Sequence, residues 1–302
     1  MKILVLGAAG QVGFELQRNL APLGEVVPAT RQGHLPGGGT GIAIDLSAPA
    51  QLPVVLDALR PDVIVNAAAY TAVDRAESEP ELARTINTQA PAVLARWCQI
   101  NQARLLHYST DYVFDGNSDR PWREDDRTAP LNVYGRSKRD GELAIIGSDS
   151  AYLILRTGWV YAARGSNFLR TMLRLGGERE VLRVVDDQIG APTPARWIAA
   201  ATAAILARYQ AGAPWQSGLL HLSAAGNTSW HGFAEAIFTQ AIAAGVLDHA
   251  PRLEAIPTSA YPTPARRPVW SCLDNSRLRE HFGLALPDWH QGLTEVMGEL
   301  AQ

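Results

Sequence analysis

The sequence predicts an α/β protein in which a doubly wound parallel sheet is joined to a smaller C-terminal α/β domain. Three observations predict this class. Short apolar runs alternate with segments of helical periodicity through the first half of the chain, which is the pattern of a parallel sheet with helices on both faces. A glycine-rich turn separates the first apolar run from the first helical segment. Beyond residue 156 the alternation loosens into Gly, Pro and aromatic residues.

The first half of the chain supplies the predicted sheet. Its strand candidates are Ile3–Leu6, Glu25–Ala29, Val63–Asn66, Leu105–Ser109 and Leu153–Arg156. The segments with helical spacing of apolar residues are Gln11–Leu20, Ala50–Leu59, Pro80–Asn101 and Val133–Ile146. Residues 33–41 form a Gly-rich segment, to which we assign no regular structure.

The second half predicts the smaller domain. Helices are expected at Asn167–Gly176, Arg196–Gln210, Ser229–Ala244 and Gln291–Leu300, with strands at Val181–Val185 and Leu219–Leu222. We therefore expect residues 1–156 to bind a dinucleotide and residues 157–302 mainly to bind the substrate, with later segments returning to the first domain.

Composition limits the classes of partner. The 302 residues are 47% hydrophobic and carry a formal net charge of −3, so the chain can bury a core but offers no basic field for a nucleic acid. The two cysteines, Cys98 and Cys272, lie far apart and have no metal-ligand spacing around them. Neither a disulfide framework nor a metal site is expected.

The N-terminal residues predict a location. Ile3–Leu6 is too short for the apolar region of a signal peptide, and no run in the chain approaches the roughly 18 apolar residues of a membrane span. The alanine-rich run before Arg208 reads as a packed helix. We expect a cytoplasmic protein with no membrane partner.

The glycine-rich turn predicts a nucleotide site. Gly7, Gly10 and Gly13 are three residues apart in GAAGQVG, between the first strand and the first helix. Residues without Cβ allow a tight turn and a close approach of the backbone to a pyrophosphate, which the N–H groups of a helix start attract. This context favours a Rossmann-type nucleotide site over a plain strand-to-helix turn.

The ends of later strands suggest which nucleotide binds. The second strand ends in Thr30 and Arg31, without the acidic residue that usually holds a ribose 2′-hydroxyl, and a cation there suits a 2′-phosphate. Arg31 as a solvated surface charge remains an equal alternative. Asp45 and Leu46 follow the IAI run, and Ala67–Ala69 leave room for a flat ligand, although a helix cap and close helix packing are the ordinary functions of such residues.

A tyrosine, a lysine and a threonine suggest chemistry. Tyr134 and Lys138 are four positions apart in a helical segment and so share one face, and Thr110 ends the strand HYST. An ammonium beside a phenol lowers its pKa, and the threonine hydroxyl can bond the same carbonyl oxygen. Alone, Tyr134 and Lys138 at this spacing would be interpreted as two surface residues. Together with the nucleotide turn, it predicts hydride transfer with tyrosine as proton donor.

These motifs resemble the extended short-chain dehydrogenase/reductase family. The resemblance continues through RPDVIVNAAAYTAVDRAESEPE, HYSTDYVFDG, PLNVYGRSK, RTGWVYA, NFLRTML, DDQIGAPT and PTSAYPTPARRP, which together cover nearly the whole chain. It implies a reductase branch that uses NADPH, or NADH, to reduce the C4 ketone of a dTDP-linked 6-deoxy sugar, dTDP-4-dehydro-6-deoxy-L-mannose.

The resemblance also implies site residues. It assigns Tyr134 as proton donor, Lys138 as its partner and Thr110 as the hydroxyl that tunes the site. The coenzyme would be held by Gly7, Gly10, Gln11, Val12, Gly13, Thr30, Arg31, Asp45, Leu46, Ala67, Ala68, Ala69, Tyr134 and Lys138. The substrate would be held by Thr110, Asp111, Trp159, Asn167 and Arg267. For Asn167 and Arg267, a structural hydrogen bond or a solvated surface charge is an alternative.

Other members of the family have other functions. Dehydratases carry Asp-Glu after the threonine, whereas Tyr112 follows Asp111 here, so elimination lacks its second carboxylate. Two alternatives stay open: a non-catalytic subunit, like the relative that partners a methionine adenosyltransferase, and a nucleotide-sugar epimerase. The intact Thr110, Tyr134 and Lys138 argue against the first.

Some relatives hold a magnesium ion at a dimer contact, through a glutamate that matches Glu15 and another where this sequence has Arg196. Because arginine cannot ligate a hard cation, the sequence does not favour a magnesium-bridged dimer, although similarity within the family would still suggest the ion. A homodimer as such is left open.

Overall fold

The computed structural model describes residues 1–301. Its strands are β1 (Lys2–Leu6), β2 (Glu25–Thr30), β3 (Ile42–Ala43), β4 (Val63–Asn66), β5 (Arg104–Thr110), β6 (Ala151–Thr157), β7 (Val160–Tyr161), β8 (Val181–Val185), β9 (Ile189–Gly190), β10 (Thr193–Pro194), β11 (Gly218–His221), β12 (Thr228–Ser229) and β13 (Arg252–Ile256). Its α-helices are α1 (Gln11–Leu20), α2 (Leu52–Leu59), α3 (Val73–Ala76), α4 (Pro80–Arg84), α5 (Ala90–Asn101), α6 (Val133–Ile146), α7 (Phe168–Glu178), α8 (Ala195–Gln210), α9 (Trp230–Ala243), α10 (Ser276–Phe282) and α11 (Trp289–Leu300).

The central sheet has seven strands in the order β11-β6-β5-β4-β1-β2-β3, and every pairing in it is parallel. The chain builds outward from β1 in one direction through β2 and β3, then returns to build in the other direction from β4. Ligands of open α/β sheets bind at the carboxyl ends of the strands where this reversal occurs. The predicted Rossmann-type fold is confirmed.

Alternation along the strands makes two cores. Ile3 and Val5 of β1 pack with α1 and α8 on one face, whereas Leu4 and Leu6 pack with α2 and α5 on the other. Because a parallel sheet is covered on both faces, successive residues of its strands are all apolar and buried. The continuous apolar runs that predicted the strands have this origin.

Segments from the second half of the chain pack on the central sheet. β11 pairs with β6 at one edge, and α8 packs against α1. The rest forms a separate cluster around Leu182, Phe233, Ile237 and Leu293. The assignment of residues 1–156 and 157–302 to nucleotide and substrate binding stays a prediction.

The predicted helix Pro80–Asn101 is interrupted in the middle. A π-helical segment, Thr85–Gln89, joins α4 to α5. It presses the Asn87 backbone against α6, since a Cβ on Gly141 would lie 2.1 Å from the Asn87 carbonyl oxygen. Periodicity alone does not reveal such a bulge. β3, β13 and α10 are likewise absent from the sequence-based prediction. β3 has only two residues, α10 has only seven, and the charged Arg252 and Glu254 interrupt the apolar pattern of β13.

Candidate active site

The glycine-rich turn brings β1, α1 and β4 into contact. Gly7 has φ +76°, and a Cβ there would lie 2.7 Å from the backbone nitrogen of Ala68. A Cβ on Gly13 would lie 2.1 Å from the Gly7 carbonyl oxygen, so this glycine allows α1 to pack on the turn. Gly10 precedes α1 and gives it no side-chain cap. The free N–H groups of the helix start therefore suit an anion.

A cavity of about 700 Å³ opens at this carboxyl edge of the sheet. It is lined by all the predicted coenzyme residues except Gly13, namely Gly7, Gly10, Gln11, Val12, Thr30, Arg31, Asp45, Leu46, Ala67, Ala68, Ala69, Tyr134 and Lys138. The sequence-based prediction thus selected residues that meet in space. Their contact with a coenzyme stays a prediction.

Several lining hydroxyls lack a protein partner. Within residues 1–301, no hydrogen bond reaches the buried oxygens of Thr30, Ser109 and Thr157, and all three residues line the cavity. A buried hydroxyl without a partner is costly, so these groups suit a polar ligand. Sequence analysis missed Ser109 and Thr157. The rule that sites form at strand ends would have found them, since they lie at the ends of β5 and β6.

Local contacts fix the start of α6, which carries Tyr134 and Lys138. The Asn132 side chain accepts a hydrogen bond of 2.8 Å from the Gly135 N–H, which caps the helix. A Cβ on Gly135 would lie 2.2 Å from the Tyr112 carbonyl oxygen, so the helix start rests on the turn after β5. This packing brings Tyr134 beside Thr110.

Burial has the largest effect on the pKa values of Tyr134 and Lys138. It raises the pKa of the Tyr134 phenol to about 12, a rise that a hydrogen bond with Thr110 opposes. The sequence predicts that Lys138 lowers this pKa, but here desolvation outweighs any such effect. Burial also lowers the pKa of Lys138 to about 8, with Glu142 acting in the opposite direction. At neutral pH the phenol therefore holds its proton.

Thr110 and Asp111 lie together at the end of β5. The Thr110 hydroxyl donates to Asp111 Oδ1 at 2.9 Å and accepts from the Tyr112 N–H at 3.1 Å. Burial raises the pKa of Asp111 to about 6, and within residues 1–301 its Oδ2 has no hydrogen-bond partner. The ring of Tyr112, which sequence analysis named only as a departure from the dehydratase pattern, meets Tyr134 edge-on at 5.7 Å.

None of the five predicted substrate residues, Thr110 and Asp111 included, is among those that line the cavity, and the other three bind protein groups. Trp159 stacks on Trp230 with ring centroids 3.4 Å apart. Asn167 caps α7 and donates to Gln11 Oε1 at 2.8 Å. Arg267 forms an ion pair of 2.7 Å with Asp74. Their contact with substrate stays a prediction.

The residues considered for magnesium are engaged with other side chains. Glu15 pairs with Arg18, and Arg196 pairs with Glu295 and Glu299. Within residues 1–301, no three His, Cys, Asp or Glu side chains are grouped so that they could hold a metal ion. No helix in the same range combines the length and hydropathy needed to cross a membrane.

Comparisons with known proteins agree with this geometry. The family model described as the RmlD substrate binding domain matches residues 1–302. A dTDP-4-dehydrorhamnose reductase of Burkholderia thailandensis is 51% identical over 294 residues, 96% of this chain and 95% of that protein. One from Shigella flexneri is 48% identical over 300 residues, 99% of this chain and 98% of that protein.

A solved structure also resembles this chain over nearly its whole length. The crystal structure of a dTDP-4-dehydrorhamnose reductase from Bacillus anthracis, in complex with NADP, matches with a TM-score of 0.86 and 33% identity over 99% of each chain. The fold and cavity, taken with these relatives, define an oxidoreductase of the extended short-chain dehydrogenase/reductase type. The chain belongs to the RmlD substrate-binding domain family.

Proposed function

We propose that this enzyme reduces the C4 ketone of dTDP-4-dehydro-6-deoxy-L-mannose to give dTDP-L-rhamnose, with NADPH as the preferred coenzyme and NADH as a second one. The observation that carries the proposal is one cavity that holds the glycine-rich turn, Tyr134 and Lys138 at the carboxyl edge of the sheet. The names of the full-length relatives support the substrate.

The residues present fit a dinucleotide. Gly7 allows the turn, the uncapped start of α1 suits a pyrophosphate, and the unpartnered Thr30 hydroxyl suits a ribose. The bound NADP in the Bacillus anthracis structure supports the same choice. A bound reduced nicotinamide would supply the hydride for the carbonyl carbon.

Residues of this chain would donate the proton and stabilise the charge that remains. Tyr134 would donate its phenolic proton to the oxygen of the reduced carbonyl. The Thr110 hydroxyl would hold that oxygen in place after turning its proton away from Asp111 Oδ1. In its ammonium form Lys138 would stabilise the phenolate that remains. Asp111 and Trp159 would contact the sugar. Asn167 and Arg267 would have to exchange their present partners, Gln11 and Asp74, to do so.

The turn after β5 favours reduction over dehydration. Asp111 is buried there, and the next side chain is a tyrosine that packs on Tyr134. Elimination of water needs an acid and a base on the sugar, and this turn offers a single carboxylate.

The direct test is coenzyme oxidation by purified enzyme with dTDP-4-dehydro-6-deoxy-L-mannose, followed by determination of the product's C4 configuration. We expect stoichiometric NADPH consumption and dTDP-L-rhamnose. Interconversion of sugars without net coenzyme consumption would indicate an epimerase. Coenzyme binding without turnover would favour a non-catalytic subunit.

Arg31 is expected to set the coenzyme preference. It is exposed at the cavity, just after β2, and a guanidinium can bond a 2′-phosphate. Arg31→Ala should raise the KM for NADPH roughly tenfold, the scale of one charge-assisted hydrogen bond, and leave the KM for NADH nearly unchanged. The effect should shrink with added salt.

Arg18→Ala is the matched control, because Arg18 is an exposed arginine on α1 that does not line the cavity. It should leave both KM values unchanged. An equal rise for NADPH and NADH in Arg31→Ala would show that Arg31 does not contact the 2′-phosphate.

A further inference from the structure

A chain of three buried polar side chains leads from the cavity into the sheet. Lys138 Nζ lies 3.0 Å from His107 Nε2, and His107 Nδ1 lies 3.0 Å from Asn66 Nδ2. All three side chains are at most 1% exposed. Asn66 and His107 are direct partners in the pairing of β4 with β5. We call these three residues the lysine network; the reaction proposed above uses only Lys138.

The backbone fixes the orientation of the asparagine. Asn66 Oδ1 accepts a hydrogen bond from the Ala68 N–H at 3.2 Å, so Nδ2 faces the histidine. An amide nitrogen can only donate. His107 Nδ1 must therefore accept, which requires that it carries no proton.

The histidine is neutral. Burial and the nearby Lys138 hold the pKa of His107 well below its usual value. Its single ring proton must then be on Nε2, pointing at Lys138 Nζ. An ammonium has no lone pair to accept it, whereas a neutral amine has one. Rotating the Asn66 amide would remove this conflict only by turning Nδ2 toward the Ala68 N–H.

We propose that Asn66 and His107 are positioning residues that set the direction of the hydrogen bond at Lys138 Nζ and so favour the neutral amine. The proposal rests on the function proposed above only for its effect on turnover. Ionisable side chains near Lys138 include Tyr108, Tyr134, Glu142 and Arg156, and Arg31 and Asp45 line the same cavity.

These neighbours do not by themselves decide between the ammonium and the neutral amine of Lys138, so the lysine network decides it. The Tyr108 carbonyl accepts from Nζ at 2.7 Å and serves both forms of the lysine. Glu142 favours the ammonium, but both its oxygens are bonded to Arg156. The network acts against Glu142 and, together with burial, keeps Lys138 able to change charge at mildly alkaline pH.

Asn66→Asp should reverse the network. A carboxylate can accept from the Ala68 N–H and from a proton on His107 Nδ1 at once, which leaves the Nε2 lone pair facing Lys138. The introduced negative charge also favours the ammonium. We expect the neutral tautomer of His107 to change from Nε2–H to Nδ1–H and the pKa of Lys138 to rise by at least ~1 unit.

Two NMR measurements on the full-length enzyme test this. Correlation spectra of ¹⁵N-histidine-labelled protein report the tautomer of His107. Titration of lysine-labelled protein reports Lys138 with little ambiguity, because the chain has only two lysines and Lys2→Arg assigns the other. An Nδ1–H tautomer in the unmodified enzyme would overturn the proposal, and that measurement does not require the variant to fold.

Asn87→Asp is the matched control. Asn87 is also buried, and its side chain bonds Tyr70 and Ser137 but no histidine. It should leave the His107 tautomer unchanged and move the Lys138 pKa less than Asn66→Asp does. Equal shifts in the two variants would mean that buried charge alone, without the network, controls Lys138.

The pH profile of turnover provides the functional readout. If turnover needs the ammonium, activity falls as pH rises through the Lys138 pKa. Raising that pKa in Asn66→Asp should move this fall to higher pH by the same amount. The NMR results need no substrate. An Nε2–H tautomer without turnover would therefore refute the proposed function alone, and normal turnover with an Nδ1–H tautomer would refute the network alone.

Discussion

Tyr134→Phe is expected to lower kcat for the keto-sugar by at least ~10²-fold, because the substitution removes the hydroxyl that donates the proton in the proposed reaction while keeping the ring. The Tyr134 ring lines the cavity and packs edge-on against Tyr112, and phenylalanine preserves both contacts. Coenzyme affinity, measured by fluorescence titration, and the unfolding temperature should therefore stay close to those of the unmodified enzyme.

Tyr161→Phe is the control for this loss. Tyr161 is also a buried tyrosine, and within residues 1–301 its hydroxyl has no hydrogen-bond partner. It belongs to the cluster around Phe233 and is not among the residues that line the cavity. We expect near-normal turnover. Near-normal turnover in Tyr134→Phe as well would remove Tyr134 from the reaction.

The second large effect concerns stability. Glu142 follows Lys138 by one helical turn and forms two hydrogen bonds to Arg156 of β6, at 2.8 and 2.7 Å. Both side chains are at most 4% exposed. Glu142→Gln should lower the free energy of unfolding by about 3–5 kcal/mol, since it leaves the buried guanidinium without a counter-charge. Urea unfolding measures the change.

The exposed pair Arg174–Glu178 gives the matched control, with side chains 60% and 52% exposed. Glu178→Gln should cost a small fraction of the loss in Glu142→Gln, because water and salt already screen an exposed pair. Similar losses in the two variants would show that the Glu142–Arg156 pair is not the contact that stabilises α6 on the sheet.

The sequence could predict which residues meet at the cavity because its signals there are local. Gly7 and Gly10 mark one turn, Tyr134 and Lys138 share a helix face through their spacing, and apolar runs mark the strands. All these features depend on residues a few positions apart. Parallel strands end at the same edge of a sheet, and this rule predicts that the four named residues lie close together. All four line the cavity at that edge.

The surroundings of the predicted substrate residues depend on contacts between distant residues. Arg267 meets Asp74 across 193 positions, and Asn167 meets Gln11 across 156. Spacing along the chain carries no signal for such pairs. Sequence analysis therefore named both residues as substrate candidates without finding the side chains that already engage them.

The sequence by itself determined the parallel sheet, the glycine-rich turn and the helix face that presents Tyr134 and Lys138. Only the tertiary structure decided the protonation of that face. A tyrosine beside a lysine on an exposed helix would have its pKa lowered, whereas burial raises the pKa of Tyr134 and lowers that of Lys138. Burial and the contact with His107 arise from packing α6 on β5. Desolvation depends on all the neighbours of a group, and local sequence specifies only a few of them.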